Sequence, residues 1–274
     1  MREEIVPVMC LMVLAIVFPA RATAGEGKIT VTILYDNTAF APGTEADWGF
    51  SCLVEGTEKT ILFDAGTKPE IFFHNVEALG VDLGAVDLVV ISHEHGDHTG
   101  ALTQVLEQNP GLTVFHPVSF SDQFVSSVTR AGATSVPVTE PVEIIDGVYS
   151  TGEMGGDIKE QSLILRTGDG LVVITGCSHP GIVEILERAQ QVLGGEIFMV
   201  LGGFHLLRHS DEETAEIIER FRELGVEKCG PTHCTGDRQI AAFKEAFGEN
   251  FVTMGTGRVL TFTAADESTG SPEL

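Results

Sequence analysis

The chain has 274 residues, enough for one large domain or two small ones at about 100–200 residues per domain. With 43% hydrophobic and 20% charged residues, its composition is that of a packed globular protein and excludes a disordered or fibrous chain. Sixteen Lys and Arg stand against 40 Asp and Glu, a net charge of −24, which argues against general nucleic-acid binding and against anionic membrane surfaces, since both need cationic side chains.

In chain order, the first feature is the apolar run Val6–Phe18, preceded by Arg2 and followed by Ala22-Thr23-Ala24. It is shorter than the roughly 20 apolar residues a membrane span requires. Together with the small-residue A-x-A pattern it predicts a signal peptide over residues 1–24. Export would put the mature chain in the periplasm or outside the cell, with no stable membrane association once the signal is cleaved. Four cysteines would remain, too few for a disulfide scaffold of this size. Cys229 and Cys234 are close enough in sequence to pair, and free buried thiols are the alternative.

Short β-branched runs then predict strands at Ile29–Leu34, Ser51–Glu55 and Thr60–Phe63. A helix follows over Pro69–Leu79, with Pro at its start and Gly80 beyond its end. A strand at Leu88–Ile91, a helix at Thr99–Gln108 and a strand at Thr113–Phe115 come next. Further strands are predicted at Ser162–Arg166, Leu171–Thr175, Ile197–Leu201 and Val259–Thr263. Helices are predicted at Pro180–Leu193, Asp211–Leu224 and Asp237–Phe247. Ile182, Ile185, Leu186 and Ala189 give one of these a single buried face, and Asp211 is the expected N-cap of the next. The order argues an α/β sandwich in one domain over residues 25–264, with a polar tail at 265–274.

The chemically informative segment is Ser92-His93-Glu94-His95-Gly96-Asp97-His98-Thr99-Gly100, between a strand and a helix. Of nine histidines in the chain, three fall here. Side-chain alternation lets His93 and His95 point the same way, while Asp97 and His98, at the turn, can face a second position. Imidazole with carboxylate suits Zn²⁺, Fe or Mn²⁺. Three more histidines, His179, His205 and His233, each follow an apolar run and a Gly or Pro turn, where a rigid strand end holds a ligand well. His74 and His209 are expected at the surface, and His116 is a possible neighbour of the pocket.

The pattern His-x-His-x-Asp-His after a strand resembles the signature of the metallo-β-lactamase superfamily, and Leu62-Phe63-Asp64-Ala65-Gly66 resembles its upstream Asp-x-Gly motif. The chain is most similar to the subgroup of metal-dependent hydrolases related to 7,8-dihydropterin-6-yl-methyl-4-(β-D-ribofuranosyl)aminobenzene 5'-phosphate synthase. That similarity is carried by Leu34-Tyr35-Asp36-Asn37, Trp48-Gly49-Phe50-Ser51, Gly176–Ile182, Gly202–Leu206 and His233–Gly236. It implies an αββα four-layer sandwich holding one or two divalent transition-metal ions, zinc first, with iron or manganese as alternatives.

It further implies that His93 and His95 bind the first metal, and that Asp97, His98 and His233 bind the second. Asp64 would orient ligands from behind. Cys177 stands where the superfamily's bridging Asp is expected. His179 is then either a first-metal ligand or a substitute bridge, and His205 either a ligand or an acid that meets the substrate. Asp97 and His205 are the expected catalytic residues.

The activity implied is hydrolysis of a small phosphoester, ester or lactone by a metal-bound hydroxide. The partner is then a small-molecule substrate, and no nucleic acid is expected. The alternatives are a transferase of the synthase kind, a non-enzymatic metal-binding protein, and a diiron redox protein that lacks a visible electron-donor module.

Overall fold

Successive residues of the central strands enter different cores, and this alternation builds the layers. The computed structural model describes residues 27–265; the expected signal segment and nearly all of the tail lie outside the described residues. The first half of the chain runs β1 (Lys28–Tyr35), β2 (Ser51–Glu55), β3 (Ile61–Phe63), α1 (Pro69–Ala78), β4 (Leu88–Val90), α2 (Gly96–Thr99), α3 (Leu102–Gln108), β5 (Thr113–Pro117), α4 (Asp122–Arg130) and β6 (Thr134–Val138). The second half runs β7 (Val142–Ile145), β8 (Val148–Ser150), β9 (Leu163–Thr167), β10 (Gly170–Thr175), α5 (Ile182–Leu193), β11 (Ile197–Gly203), α6 (Asp211–Glu223), β12 (Lys228–Thr232), α7 (Asp237–Phe247) and β13 (Val259–Thr263).

The strands form a seven-stranded sheet, β13-β1-β2-β3-β4-β5-β6, and a six-stranded sheet, β12-β11-β10-β9-β8-β7. On β2, Cys52 and Val54 enter the core between the sheets while Leu53 faces α1 and α3. On β10, Val172 and Ile174 enter that same central core while Leu171 and Val173 face α5. Three apolar cores therefore separate four layers, and the expected αββα sandwich is the architecture found. Both faces of each sheet are covered, so the central strands carry almost no exposed side chains.

Strands β3 to β6 run parallel, as do β10 to β12. The loops leaving the carboxyl ends of β3, β4, β10, β11 and β12 carry Asp64, His93, Cys177, His205 and His233. In open α/β sheets this is where ligands bind.

Several elements depart from the sequence expectation. Strands β6, β7 and β12 are sheet edges, and β6 and β12 contain Pro137 and Pro231. An edge strand tolerates a residue with no N–H, so these segments carry no strand signature. β8 is three residues long and shows no legible period; α4 is amphipathic, with Phe124 and Val128 one turn apart on its buried face, and is not among the expected helices. The helix expected at Thr99–Gln108 starts earlier and is divided into α2 and α3, because Gly100 and Ala101 turn back on the β3–α1 loop. The Gly100 N–H donates to the Gly66 carbonyl at 2.7 Å, and a Cβ at Gly100 would overlap the Thr67 carbonyl. That break places Asp97 and His98 in a turn of their own.

The N-cap of α6 is Ser210 and not Asp211. The Ser210 hydroxyl accepts from Glu213 N at 3.2 Å, and the Glu213 carboxylate accepts from Ser210 N at 2.7 Å, a reciprocal capping box. All four described cysteines are free and buried, so Cys229 and Cys234 are not bridged.

Candidate metal centre

Among the described residues, four non-glycine residues adopt left-handed backbone: Asp64, Ser178, His205 and His233, with φ between 50° and 65°. All four sit in the strand-end loops. Such conformations cost about 1–3 kcal/mol each and mark places where the surroundings impose the geometry. Two of the loops meet at Gly176, where a Cβ would overlap the Ser92 hydroxyl.

The loops bring the donors together in adjoining clusters. His93, His95 and His179 form the first, with ligand atoms within 4.8 Å of one another. Asp97, His98, Cys177 and His233 form the second on the same criterion. The His93 and His98 rings lie 4.1 Å apart between centroids, so the clusters share a wall. All six histidine and aspartate ligands expected from sequence are thus brought together. His179 lies with the first cluster and Cys177 with the second. A third group, Cys177, His205 and Cys234, adjoins them.

Hydrogen bonds fix which nitrogen of each ring faces the centre. Asp64 is fully buried, and a carboxylate only accepts. It takes Ser92 N, Ser92 Oγ and His98 Nδ1, each at 2.7 Å. The single Ser92 hydroxyl proton is therefore spent on Asp64, and Ser92 Oγ accepts from His93 Nδ1 at 2.9 Å. His93 Nε2 and His98 Nε2 are thereby left as acceptors facing the clusters, within 3.1 Å of His95 Nδ1 and 3.3 Å of Cys177 Sγ respectively. On the other side, Asn37 Oδ1 accepts from Gly49 N at 3.1 Å, which orients the amide, and also from His233 Nδ1 at 3.1 Å. His233 Nε2 is then bare, and both it and His179 Nε2 are buried without a hydrogen-bond partner. Two orphaned ring nitrogens in a donor cluster are what a metal ligand looks like before the ion is counted.

Titration behaviour agrees with this. Burial and the surrounding imidazoles push His93 well down, and the same causes lower His179 to about 4, so both rings are neutral near pH 7. Burial works against the Asp97 carboxylate, but the adjacent His233 and His98 rings hold it well below the ordinary range. At His205, contact with Cys234 outweighs burial and raises the imidazole.

Four further residues have structural roles that sequence reasoning left open or missed. Glu160, fully buried, accepts the backbone N–H groups of Cys177, Ser178 and His179 at 2.8–2.9 Å. It therefore fixes the loop that carries one donor for each cluster; its isolation among the few carboxylates of residues 155–161 is the only sequence signal. Trp48 is half exposed, donates its indole N–H to Asp97 Oδ2 at 2.8 Å and lies 4.8 Å from the His233 ring. Asp36 accepts from the Thr232 hydroxyl beside His233, and burial raises it to about 6. Glu94, between the ligands, points outward and accepts from the backbone N–H and hydroxyl of Ser121, the N-cap of α4.

His116 does not reach the centre. It is buried against Phe120 and Phe124, with its ring nitrogens taken by Pro117 O and Ser135 Oγ. His74 is exposed, as expected, and His209 is partly buried beside α6.

A strand-end constellation of histidines in an αββα sandwich defines a class, and the comparisons agree with it. Residues 49–121 match the metallo-beta-lactamase superfamily. A solved metal-dependent hydrolase of the beta-lactamase superfamily is 33% identical, with a TM-score of 0.72 over 85% of this chain and 98% of that one. The 7,8-dihydropterin-6-methyl-4-(beta-D-ribofuranosyl)-aminobenzene-5'-phosphate synthase of Methanocaldococcus jannaschii is 28% identical over 78% of this chain and 90% of its own length. The metallo-beta-lactamase fold protein YhfI of Bacillus subtilis, at 16% identity and a TM-score of 0.65, shares the fold.

The chain belongs to the metallo-β-lactamase superfamily. That fold implies a divalent metal, and the donors described here fit one chemically: imidazoles with ring nitrogens turned to the clusters, one carboxylate and one thiol.

Proposed function

We propose that the protein is a metal-dependent hydrolase of a small phosphoester, carboxylic ester or lactone. His93, His95 and His179 would hold one divalent ion, and Asp97, His98, His233 and the Cys177 thiolate a second, zinc being favoured by the mixed imidazole and thiolate set. The observation that carries this reading is the pair of buried, unpartnered ring nitrogens on His179 and His233, one in each cluster.

When bound, such ions polarise the scissile group and lower the pKa of a coordinated water. The chain's own part is positional. Asp64 and Asn37 present the free nitrogens of His98 and His233, and Glu160 fixes the Cys177–His179 loop. His205, its ring 4.3 Å from that of His179 and raised toward the protonated form, holds a proton for the leaving oxygen. Export of the mature chain from residue 25 is part of the same proposal, and the intact mass of protein from its native host tests it.

The test is metal analysis followed by a panel of aryl phosphodiesters, phosphomonoesters, esters and lactones, with Zn²⁺, Mn²⁺ or Fe²⁺. The expected result is one to two equivalents of metal and turnover that a chelator abolishes and added metal restores. Full activity in metal-free protein sinks the reading.

One observation favours a second reading, a transferase that joins two substrates, namely the similarity to the Methanocaldococcus jannaschii synthase. It gains ground if fully loaded protein turns over nothing in the panel yet joins a pterin to an aminobenzene partner. Fully loaded protein inert in both assays would favour a non-enzymatic metal-binding role.

A further inference from the structure

Strands β10 and β12 flank β11, and Cys177 and Cys234 lie in the loops that leave the carboxyl ends of the two flanking strands. A side chain at the end of β11 would keep them apart. Gly203 stands there instead, its N–H donating to the Gly176 carbonyl at 3.0 Å. A Cβ at Gly203 would lie 2.7 Å from Cys234 Sγ and 3.2 Å from Cys177 Cα. The two cysteines therefore meet across a glycine. The Cys234 thiol donates to the Cys177 carbonyl at 3.5 Å, and the two sulfurs lie within 4.8 Å of each other.

The sulfurs have different neighbours. Cys177 Sγ lies 3.3 Å from His98 Nε2 and belongs to the second cluster. Cys234 belongs to neither metal cluster and is grouped only with Cys177 and His205. Cys52 and Cys229, by contrast, are packed into apolar cores. Both sulfurs of the pair are buried, but the His205 ring lies within the same 4.8 Å of them. That ring is exposed and, with Ser178 and His179, lines a groove of about 660 Å³ between α5 and α6. A small reagent in the groove is thus one side chain away from the thiols.

Resting on the metal assignment of the hydrolase reading above, we propose that Cys177 and Cys234 are a redox-sensitive dithiol that controls occupancy of the second metal position, with a hydroperoxide as the oxidant. One sulfur attacks the peroxide O–O bond and becomes a sulfenic acid, releasing water or an alcohol. The other thiol attacks that sulfur and expels water, leaving a Cys177–Cys234 disulfide. Two electrons pass from the sulfurs to the peroxide, and the two thiol protons leave with the oxygens. A metal takes a thiolate as ligand, and a disulfide sulfur is none. Oxidation therefore leaves Asp97, His98 and His233 as the remaining donors of the second cluster. The ion and the disulfide exclude one another.

The test uses zinc-loaded full-length protein, treated with hydrogen peroxide in the presence of a chromogenic chelator. The expected result is loss of a pair of free thiols, release of one zinc equivalent, and a Cys177–Cys234 cross-link in a non-reducing peptide map. Dithiothreitol should reverse the cross-link and let the equivalent rebind. Stripping the zinc beforehand should speed cross-linking. Cys234→Ser protein should hold its zinc at rest, because Cys234 is outside both clusters, and should lose the peroxide-driven release.

A map in which Cys177 and Cys234 stay unlinked after peroxide overturns the proposal, and it needs no variant to fold. So does a cross-link formed with no loss of zinc. Neither outcome touches the hydrolase reading, which is judged by turnover of untreated protein. Protein that binds no zinc at the outset defeats both.

Discussion

His93, His95 and His179 form a cluster of three imidazole donors in which His95 is exposed and His179 half-buried, whereas Asp97, His98, Cys177 and His233 bring a carboxylate and a thiol and are almost closed to solvent. The supports differ as well. Behind the second cluster stand Asp64, Asn37, Thr232 and Trp48; behind the first stand the Ser92 hydroxyl and the loop held by Glu160. Three imidazoles with no carboxylate or thiol among them would leave a bound cation's charge largely unneutralised, which suits polarising a substrate. An ion beside a carboxylate and a thiolate is partly neutralised and held by softer donors, which suits a retained ion. The difference teaches that the two proposed positions are unequal: one for substrate, one for permanence.

The sharpest way to break this comparison is Asp97→Asn. It removes the carboxylate from the second cluster and leaves the first untouched. Turnover should fall by at least about a hundredfold, more than is typical for loss of an outer support. One metal equivalent should be lost and circular dichroism should not change. Retention of both equivalents, or loss of both, would show that the clusters do not act as separate positions.

His205→Ala comes next. His205 lies on the groove side, grouped with Cys177 and Cys234 and not with either imidazole set. Turnover should drop by about a hundredfold, the lower end for loss of a positioned acid, while metal content holds. His179→Ala run in parallel should lose both. Metal loss in the His205 variant would make it a ligand and redraw the boundary of the first cluster.

Glu160→Gln acts on both clusters at once, since Glu160 holds Cys177 through one oxygen and His179 through the other. Gln keeps the size but turns an acceptor into a donor facing backbone N–H groups. Affinity for both equivalents should fall by about 10–100-fold, measured against a chromogenic chelator. A loss confined to one equivalent would mean the loop is not the shared element described here.

Much of this centre was legible in the chain before any coordinates. His93, His95, Asp97 and His98 fall within six residues, so their spacing points to a metal site, the order of strands and helices argues an α/β sandwich, and the family resemblance implies its four layers. What sequence could not say is which loop partner each distant residue would meet. Cys177 and His179 are two residues apart yet belong to different clusters, because the left-handed Ser178 between them turns the chain. Glu160 looks like any surface carboxylate until burial and three N–H donors identify it. The edge strands β6 and β12 were missed for the opposite reason: their prolines are tolerated only because no neighbour needs the N–H, and that is a fact of sheet order.

The smallest expected effect concerns Trp48, the single tryptophan of the chain. Its indole N–H donates to Asp97 Oδ2, an oxygen that also lies 3.4 Å from His233 Nε2 and 3.7 Å from His98 Nε2. Filling the second position should therefore alter tryptophan fluorescence, and filling the first should not, because no first-cluster ring stacks on Trp48. Trp48→Phe keeps an aromatic face beside His233 and removes only the donor. The side chain is 47% exposed, so stability should change by no more than about 0.5 kcal/mol. Affinity for the second equivalent should fall by up to about tenfold, the lower bound for an outer-support loss, with the first unchanged. If neither equivalent weakens, Asp97 is held by its own turn in α2 and not from across the mouth. The second cluster would then owe its order to Asp64 and Asn37 alone.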